Sequence, residues 1–378
     1  RKILLDREDT SKYIITSSYR NLDNLSMSSS GNIEWTKLFG TSNEDQGEGI
    51  SISSDGSIYI TGYTKGDLDG QQNAGDSDAY ISKYNSNGDK IWTRLIGSSK
   101  EDIAFKSSIS SDGSIYVTGW TKGYLDGQQN AGPYAAFISK FTSDGDKHWT
   151  RTLGGGFVDA FTGSTVGSDG SIYCTGTAGS HIDGQTNAGE TDVLLCKFDS
   201  NGNKIWTRLL GTNDTDTGQA IAIGSDDSIY ITGYTNSNLG GEEQISHRVD
   251  AFISKFNSNG DKIWTRLIGS FARDNYYHNG KVDDAAYAIS ISSDDSIYIT
   301  GYAEGDLDGQ TNSGGSTDIL LSKFNSNGIK IWTKLLGTAE RETGYGITNG
   351  SDGSIYITGS TTGDLDGQTN SGELDIFV

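Results

Sequence analysis

A marker tryptophan returns through almost the whole chain at near-constant spacing, and a chain built this way folds as an array of like units. Ile-Trp or a variant of it recurs at Trp35, Trp92, Trp149, Trp206, Trp264 and Trp332, at intervals of 57, 57, 57, 58 and 68 residues. A second marker, Ser-Ile-Tyr, begins at Ser57, Ser114, Ser171, Ser228, Ser296 and Ser354, and is usually followed by a β-branched residue and then Thr-Gly. Such a period means that each copy is one supersecondary unit, whose hydrophobic faces are buried only by its neighbours.

Within one copy, residues 47–98, four short strands alternate with turn signals. Gly49-Ile-Ser-Ile-Ser alternates at period two and runs into the turn Ser54-Asp55-Gly56-Ser57. Ser57-Ile-Tyr-Ile-Thr-Gly is a β-branched and aromatic second strand. After a long polar segment, Ala79-Tyr-Ile-Ser-Lys-Tyr reads as the third strand, Asn85-Ser-Asn87-Gly88-Asp89 as a second tight turn, and Lys90-Ile-Trp-Thr-Arg-Leu-Ile as the fourth. No stretch sustains a 3.6-residue period, so almost no helix is expected.

Four antiparallel strands per unit, repeated about seven times, describe a β-propeller. The expected fold is all-β: one domain over residues 1–378, a seven-bladed β-propeller of four-stranded antiparallel blades with a seam blade at the termini. The repeats fall at about 1–42, 43–99, 100–156, 157–213, 214–271, 272–338 and 339–378. Repeat 1 is degenerate: Lys12-Tyr-Ile-Ile-Thr matches the second strand, Asn24 to Met27 the third, and Trp35 marks the fourth. The chain stops at Asp375-Ile-Phe-Val378, inside a third strand. Lys2-Ile-Leu-Leu suits either the first strand of repeat 1 or the missing outer strand of repeat 7.

Asp55-Gly56-Ser-Ile-Tyr-Ile-Thr-Gly, followed by Lys83-Tyr-Asn-Ser-Asn-Gly-Asp-Lys-Ile-Trp, resembles the bacterial SBBP repeats of seven-bladed propellers and, more distantly, NHL-type blades. The resemblance covers nearly the whole chain and is weakest over residues 1–42. It implies blades whose first strand lines a central channel and whose fourth lies outside. It implies no shared catalytic residue, because fold does not carry function.

Composition narrows the partners. With 29 Lys and Arg against 50 Asp and Glu, the net charge is −21. That argues against nucleic acid, whose phosphates need basic patches, and against a basic membrane-surface helix. No apolar run approaches the 18 residues of a membrane-spanning helix. Glycine numbers 52 and proline 1, as expected if glycine serves turns and strand ladders need their N–H groups. The start at Arg1 lacks the pattern of a signal peptide, which leaves a cytosolic chain, a processed one, or a piece of something longer. Cys174 and Cys196 lie 22 residues apart on neighbouring strands, where either one bridge or two buried thiols fit.

In this strand order, the long second-to-third segment and the inter-blade connection share one face. Binding concentrates on loops carried by a rigid scaffold, so this long-loop face is the candidate functional face. Its most regular feature is Asp67-Leu-Asp69-Gly70-Gln71-Gln-Asn73, closed by Asp78. Repeat 6 repeats it as Asp306, Asp308, Gln310, Asn312 and Asp318, and repeat 7 as Asp364, Asp366, Gln368, Asn370 and Asp375. Repeat 4 begins with His181 and keeps Asp183, Asn187 and Asp192. Repeat 3 has Tyr124 in first place and no terminal carboxylate, while repeat 5 departs from the motif. Oxygen side chains at alternate positions suit a hard cation such as Ca2+, although glycine falls at position 4 rather than 6 of an EF-hand. The same residues also make side-chain-to-backbone turns that order a loop without metal.

Two further features stand on this face. Carboxylates precede nearly every inner strand (Glu44 and Asp45, Glu101 and Asp102, Asp159, Asp214 and Asp216, Asp283 and Asp284, Glu340 and Glu342). They form either an electronegative channel mouth or a solvated rim. The repeat then breaks at an insertion of about ten residues, 271–281, beside the aberrant long loop of repeat 5. These neighbours bring together His247, Arg248, Arg273, Tyr276, Tyr277 and His278, residue types favoured as binding anchors.

The recurring Gly-x-x-x-Trp spacing invites a quinoprotein reading, but a tryptophan at one strand position in every blade is better explained as inter-blade packing. Trp120 alone lies off that register. His-Glu-x-x-His, Gly-x-Ser-x-Gly, P-loop and Cys-x-x-Cys patterns are absent. The expectation is a non-catalytic, secreted or cell-surface bacterial propeller that binds a protein or polysaccharide within a larger surface assembly, with calcium the candidate ion of its long loops. The competing expectation is a carbohydrate-active or quinone-dependent enzyme.

Overall fold

The computed structural model describes residues 2–5, 13–16, 35–130, 132–154, 157–245, 248–271, 283–350 and 352–378. They form six antiparallel blade sheets, and helix among them is limited to two single turns at Leu125–Gly127 and Leu239–Gly241. The N-terminal strands β1 (Lys2–Leu5) and β2 (Tyr13–Thr16) pair with each other as a two-stranded sheet. Repeat 2 is β3 (Asp45–Ile52), β4 (Ile58–Thr64), β5 (Asp78–Tyr84) and β6 (Lys90–Ile96). Repeat 3 is β7 (Asp102–Ile109), β8 (Ile115–Thr121), β9 (Ala135–Phe141) and β10 (Lys147–Leu153). Repeat 4 is β11 (Ala160–Val166), β12 (Ile172–Ala178), β13 (Asp192–Phe198) and β14 (Lys204–Leu210). Repeat 5 is β15 (Asp216–Ile223), β16 (Ile229–Thr235), β17 (Asp250–Phe256) and β18 (Lys262–Ile268). Repeat 6 is β19 (Asp284–Ile291), β20 (Ile297–Ala303), β21 (Asp318–Phe324) and β22 (Lys330–Leu336). Repeat 7 ends after three strands, β23 (Glu342–Asn349), β24 (Ile355–Thr361) and β25 (Asp375–Phe377).

The architecture is therefore a β-propeller of four-stranded blades, with six blades among the described residues rather than the seven expected. The difference lies in repeat 1. β1 and β2 are its described strands, and in sequence Arg7-Glu-Asp-Thr-Ser stands where other repeats have Ser-Asp-Gly-Ser with its turn glycine. Elsewhere that position has φ of 78° at Gly56 and 79° at Gly113, and Asp227 and Asp295 adopt 58° where they replace the glycine. The third strand expected at Asn24 to Met27 lies outside the described residues. Lys2-Ile-Leu-Leu takes the first-strand place beside β2.

The described residues fall into two compact units, residues 4–187 with 194–209, and residues 1–3, 188–193 and 210–378. In each unit the core lies between successive blades. Strands two and three are buried on both faces, as β5 and β9 are along their whole length. In the first unit, Tyr59, Ile81 and Ile96 of repeat 2 pack with Ala104, Val117 and Phe137 of repeat 3. In the second, Ile253 and Ile268 of repeat 5 pack with Ile299 and Leu320 of repeat 6. Adjoining first strands meet directly: Ser51 Oγ lies 2.6 Å from Ser107 Oγ, and Asn349 Nδ2 donates to Ser290 Oγ at 2.6 Å.

The marker tryptophans tie blade to blade. Trp92 Nε1 donates to Ser143 O of the next blade at 3.2 Å, and Arg94 lies over the Trp92 ring while donating to Gly145 O at 2.8 Å. Gly145 sits at φ 84° against this ring, where a Cβ would come within 2.9 Å of it. The repeated Gly–Trp spacing is a packing device. Cys174 and Cys196 are buried free thiols, and burial pushes Cys196 up to about 12.

Candidate functional site

The long loop and the inter-blade connection share a face in each unit. Lys65 N donates to Glu44 O and Asp102 N to Ser77 O, and parallel bridges join Ser77 to Glu101, Val249 to Asp283 and Thr317 to Arg341. The long loop turns sharply at Leu68-Asp69-Gly70-Gln71, where Asp69 and Gly70 have φ of 53° and 77° and Gln71 N donates to Leu68 O at 3.0 Å. Two successive left-handed residues make a type I′ turn, which Asp-Gly accommodates. Leu68 anchors the turn with 1% exposure.

The side chains proposed to hold calcium bond to the chain itself. Asp67 Oδ1 accepts Asn73 N at 2.9 Å, and Asn73 Nδ2 donates to Thr64 O at 2.8 Å. Asp69 pairs with Lys90 and accepts the Thr93 hydroxyl, while Gln71 Oε1 accepts Leu95 N at 3.2 Å and Asp78 Oδ2 accepts Ala74 N at 2.9 Å. Burial works against ionisation of Asp69, yet Lys90 and Thr93 hold its carboxyl below the usual range.

The other copies follow suit. In repeat 4, His181 Nδ1 accepts Asn187 N at 3.0 Å, Asp183 pairs with Lys204, and Asp192 Oδ2 accepts Ala188 N at 3.0 Å. In repeat 6, Asp306 Oδ1 accepts Asn312 N at 2.9 Å, Asp308 pairs with Lys330 at 2.6 Å, Gln310 N donates to Leu307 O, and Asp318 Oδ2 accepts Ser313 N at 2.8 Å. In repeat 7, Asp364 Oδ1 accepts Asn370 N at 2.7 Å, Gln368 N donates to Leu365 O, and Asp375 Oδ2 accepts Ser371 N at 2.6 Å. Asp366 takes φ 50° and lies exposed, and among the described residues repeat 7 has three strands, without the fourth that supplies lysine elsewhere. Among the described residues no group of three or more His, Cys, Asp or Glu is placed to hold a metal ion. A lysine ammonium at the second position also fits poorly with a cation in the loop.

The acids before the inner strands divide into two kinds. Glu44 and Glu101 are surface groups paired with Lys65 and Lys122. The second member turns inward: Asp45 is half-buried, and Asp102, Asp216, Asp284 and Glu342, together with the lone Asp159, all have 0% exposure. Burial is the chief cause that pushes Asp102 and Asp216 up to about 6 and Asp284 to about 8. Sequence reasoning missed this burial. Its signal was the spacing Gly-Ser/Thr-x-x-x-Asp/Glu, as in Gly97-Ser98 to Asp102, Gly211-Thr212 to Asp216 and Gly337-Thr338 to Glu342.

Variation on this face sits elsewhere. Each inner strand of repeats 2 to 7 carries a bulge at one position, which re-aims one side chain. The skipped residues are Glu48, Phe105, Thr162, Gln219, Tyr287 and Tyr345, all half-buried. In the second unit two of these are tyrosines. Tyr287 stacks on Tyr345 with centroids 5.6 Å apart and planes at 25°, and Tyr302 lies 5.8 Å away. Burial pushes Tyr287 up to about 12. Arg248 reaches this neighbourhood by pairing with Asp283 at 3.1 Å. His247, Arg273, Tyr276, Tyr277 and His278 lie outside the described residues. A second aromatic group lies on repeat 3: Trp120 meets Tyr134 edge-on at 5.0 Å, with Lys122 over both rings and Tyr124 exposed nearby.

Strand order and loop geometry together define a β-propeller whose repeated loop residues hold its own backbone. The sequence pattern of the SBBP family, a β-propeller repeat, matches residues 34–69, 205–240 and 331–366. Each match runs from a marker tryptophan through the next inner strand into the long loop, so three stretches of the chain carry the SBBP β-propeller repeat. It is similar to the regulatory protein FlaEY of Caulobacter vibrioides, 27% identical over 312 residues, which are 74% of this chain and 31% of that protein. An uncharacterized WD repeat-containing protein of Acanthamoeba polyphaga mimivirus is 21% identical over 433 residues, covering 86% of this chain and 31% of that one. The chain thus spans about a third of the length of these relatives. Among solved structures, a Bacteroides caccae protein of unknown function has a TM-score of 0.45 at 9% identity, over 86% of this chain and 94% of that one. Virginiamycin B lyase from Staphylococcus aureus has 0.40 at 16%, over 85% and 94%.

Proposed function

We propose that the chain is a non-catalytic binding or structural propeller, part of a larger secreted or cell-surface protein, which meets a protein or polysaccharide through its long-loop face. One observation carries this reading. The loop residues that recur from repeat to repeat are engaged with the chain itself, whereas the re-aimed bulge residues differ from blade to blade. A face with a fixed frame and variable half-buried side chains suits recognition more than chemistry. Tyr287, Tyr302 and Tyr345 are the anchors, since tyrosine offers a large apolar ring with a polar tip. Similarity to regions covering a third of two longer proteins supports a module within a larger assembly. Calcium in the long loops is a separate question, which chelation answers.

The test is binding of the purified chain to immobilised glycans and to surface-protein extracts. Tyr287→Ala with Tyr345→Ala is expected to lower affinity tenfold or more while Phe105→Ala leaves it unchanged. Binding that survives the tyrosine pair refutes this surface, and turnover of a bound glycan refutes the non-catalytic reading.

A further inference from the structure

The arginines divide into two kinds. Six lie among the described residues. Arg94, Arg151, Arg208 and Arg266 each lie over a marker tryptophan, 5.3–5.6 Å from the ring centroid. The other two stand on the long-loop face of the second unit, Arg248 where repeat 5 meets repeat 6 and Arg341 where repeat 6 meets repeat 7.

Arg341 occupies a fixed place in the repeat, the residue whose carbonyl accepts the first N–H beyond the second strand. Lys65 N donates to Glu44 O, Lys122 N to Glu101 O, Glu304 N to Asp283 O and Thr362 N to Arg341 O, at 2.9–3.2 Å. In repeats 2 and 3 an acid at this place pairs with the lysine across from it, Glu44 with Lys65 at 2.6 Å and Glu101 with Lys122. In repeat 6, Asp283 pairs with Arg248 at 3.1 Å, and Glu304 Oε2 accepts Asp283 N at 2.9 Å. Repeat 7 reverses the sign and drops the partner. Arg341 lies across from Thr362, whose hydroxyl accepts Arg341 N at 2.9 Å. The Arg341 side chain is exposed, and among the described residues no carboxylate pairs with it. Of its acidic chain neighbours, Glu342 is buried and bonded to Thr338 and Thr361, and Glu340 is exposed.

This charge sits beside the tyrosine cluster. Arg341 immediately precedes β23, the bulged residue of that strand is Tyr345, and Tyr345 stacks on Tyr287 at 5.6 Å. Burial dominates the upward shift of Tyr287 and the Arg341 charge opposes it, which places the guanidinium within electrostatic reach of that ring. An exposed guanidinium without a counter-ion is a fork for a carboxylate. The half-buried rings beside it offer apolar surface and hydroxyl tips. A carboxylated sugar meets both, since its ring presents C–H groups to an aromatic face and carries the acid at its edge. The net charge of −21 repels a polymer charged at every unit, so the acidic sugar stands among neutral ones. We propose that the Tyr287–Tyr345 surface binds a polysaccharide in which carboxylated sugars are spaced among neutral ones, with Arg341 holding the carboxylate and selecting acidic chains over neutral ones. This rests on the long-loop face being the binding surface, and it names the class of ligand.

The experiment presents the whole chain, in chelator, to an array of oligosaccharides bearing glucuronic, galacturonic or sialic acid among neutral sugars. Each stands beside a twin whose carboxyls have been reduced to alcohols. The wild type is expected to bind at least one acidic member roughly tenfold more tightly than its twin. Arg341→Gln should bring the two together and Arg341→Lys should keep part of the difference. Both variants should melt as the wild type does, because the backbone bonds of residue 341 remain. Tyr287→Ala with Tyr345→Ala should weaken binding to both members of the pair. The proposal is overturned if no acidic member binds, if the reduced twins bind as tightly, or if the preference survives Arg341→Gln. It is also overturned if a glutamate-rich peptide displaces the acidic oligosaccharide at equal concentration. Tyrosine-dependent binding that ignores Arg341 overturns this inference alone, whereas binding that survives the tyrosine pair overturns the surface itself.

Discussion

The long loops of repeats 2 and 5 have little sequence in common and trace the same turn. Repeat 2 reads Asp67-Leu-Asp-Gly-Gln, repeat 5 Asn238-Leu-Gly-Gly-Glu. In repeat 5, Gly240 and Gly241 take φ of 66° and 91°, Glu242 N donates to Leu239 O at 3.1 Å, and Leu239 has 0% exposure. Asn238 Oδ1 accepts Gln244 N at 2.8 Å, as Asp67 accepts Asn73 N. What the motif conveys is a backbone demand: two left-handed residues, an apolar anchor and a side-chain acceptor. Repeat 5 meets it without the second aspartate, which indicates that this carboxylate is one solution among several.

Removing the anchors should have the largest effect. Leu68→Ala and Leu239→Ala are each expected to cost about 2–5 kcal/mol by chemical denaturation. Nearly equal losses would bear out the equivalence of the loops, and a tolerant repeat 5 would break it. Next comes the turn backbone. Gly70→Ala and Gly241→Ala meet no atom within 4 Å, so each isolates the left-handed penalty of about 1–2 kcal/mol. Smallest is the carboxylate. Asp69, though burial opposes ionisation, has its pKa lowered by Lys90 and Thr93. Its contribution is present above the unfolded pKa near 4 and lost as pH falls through the depressed folded value. Asp69→Gly, which copies repeat 5, should therefore lower stability at pH 7 by less than either change above and flatten the acid limb of the stability curve below about pH 4, where that contribution is already lost.

Much of the fold was legible because strand period, turn chemistry and tryptophan spacing agree in every complete repeat. Ser-Asp-Gly-Ser and Asn-Ser-Asn-Gly mark tight turns in the structure, and the marker tryptophans pack against neighbouring blades. Repeat 1 misled because Trp35 keeps the repeat's period although β1 and β2 are the only strands of that repeat among the described residues. The buried acids were illegible for a general reason: Asp and Glu are almost never fully buried unless paired, so a run of acids before a strand reads as surface. The bulges were hidden too, since one extra residue in a strand leaves the alternating pattern nearly intact. Tyr287 and Tyr345 could have been found by aligning inner strands and asking where the copies disagree most.

Calorimetric melting in saturating calcium and in chelator tests most directly the claim that the long-loop carboxylates hold the backbone. An ion at a hundred times its Kd adds about 2.7 kcal/mol for a single site, which several loops would multiply. The account predicts the same midpoint in both conditions, for the wild type and for Asp308→Asn alike. A midpoint several degrees higher in calcium, lost stepwise in Asp69→Asn and Asp308→Asn, would contradict it.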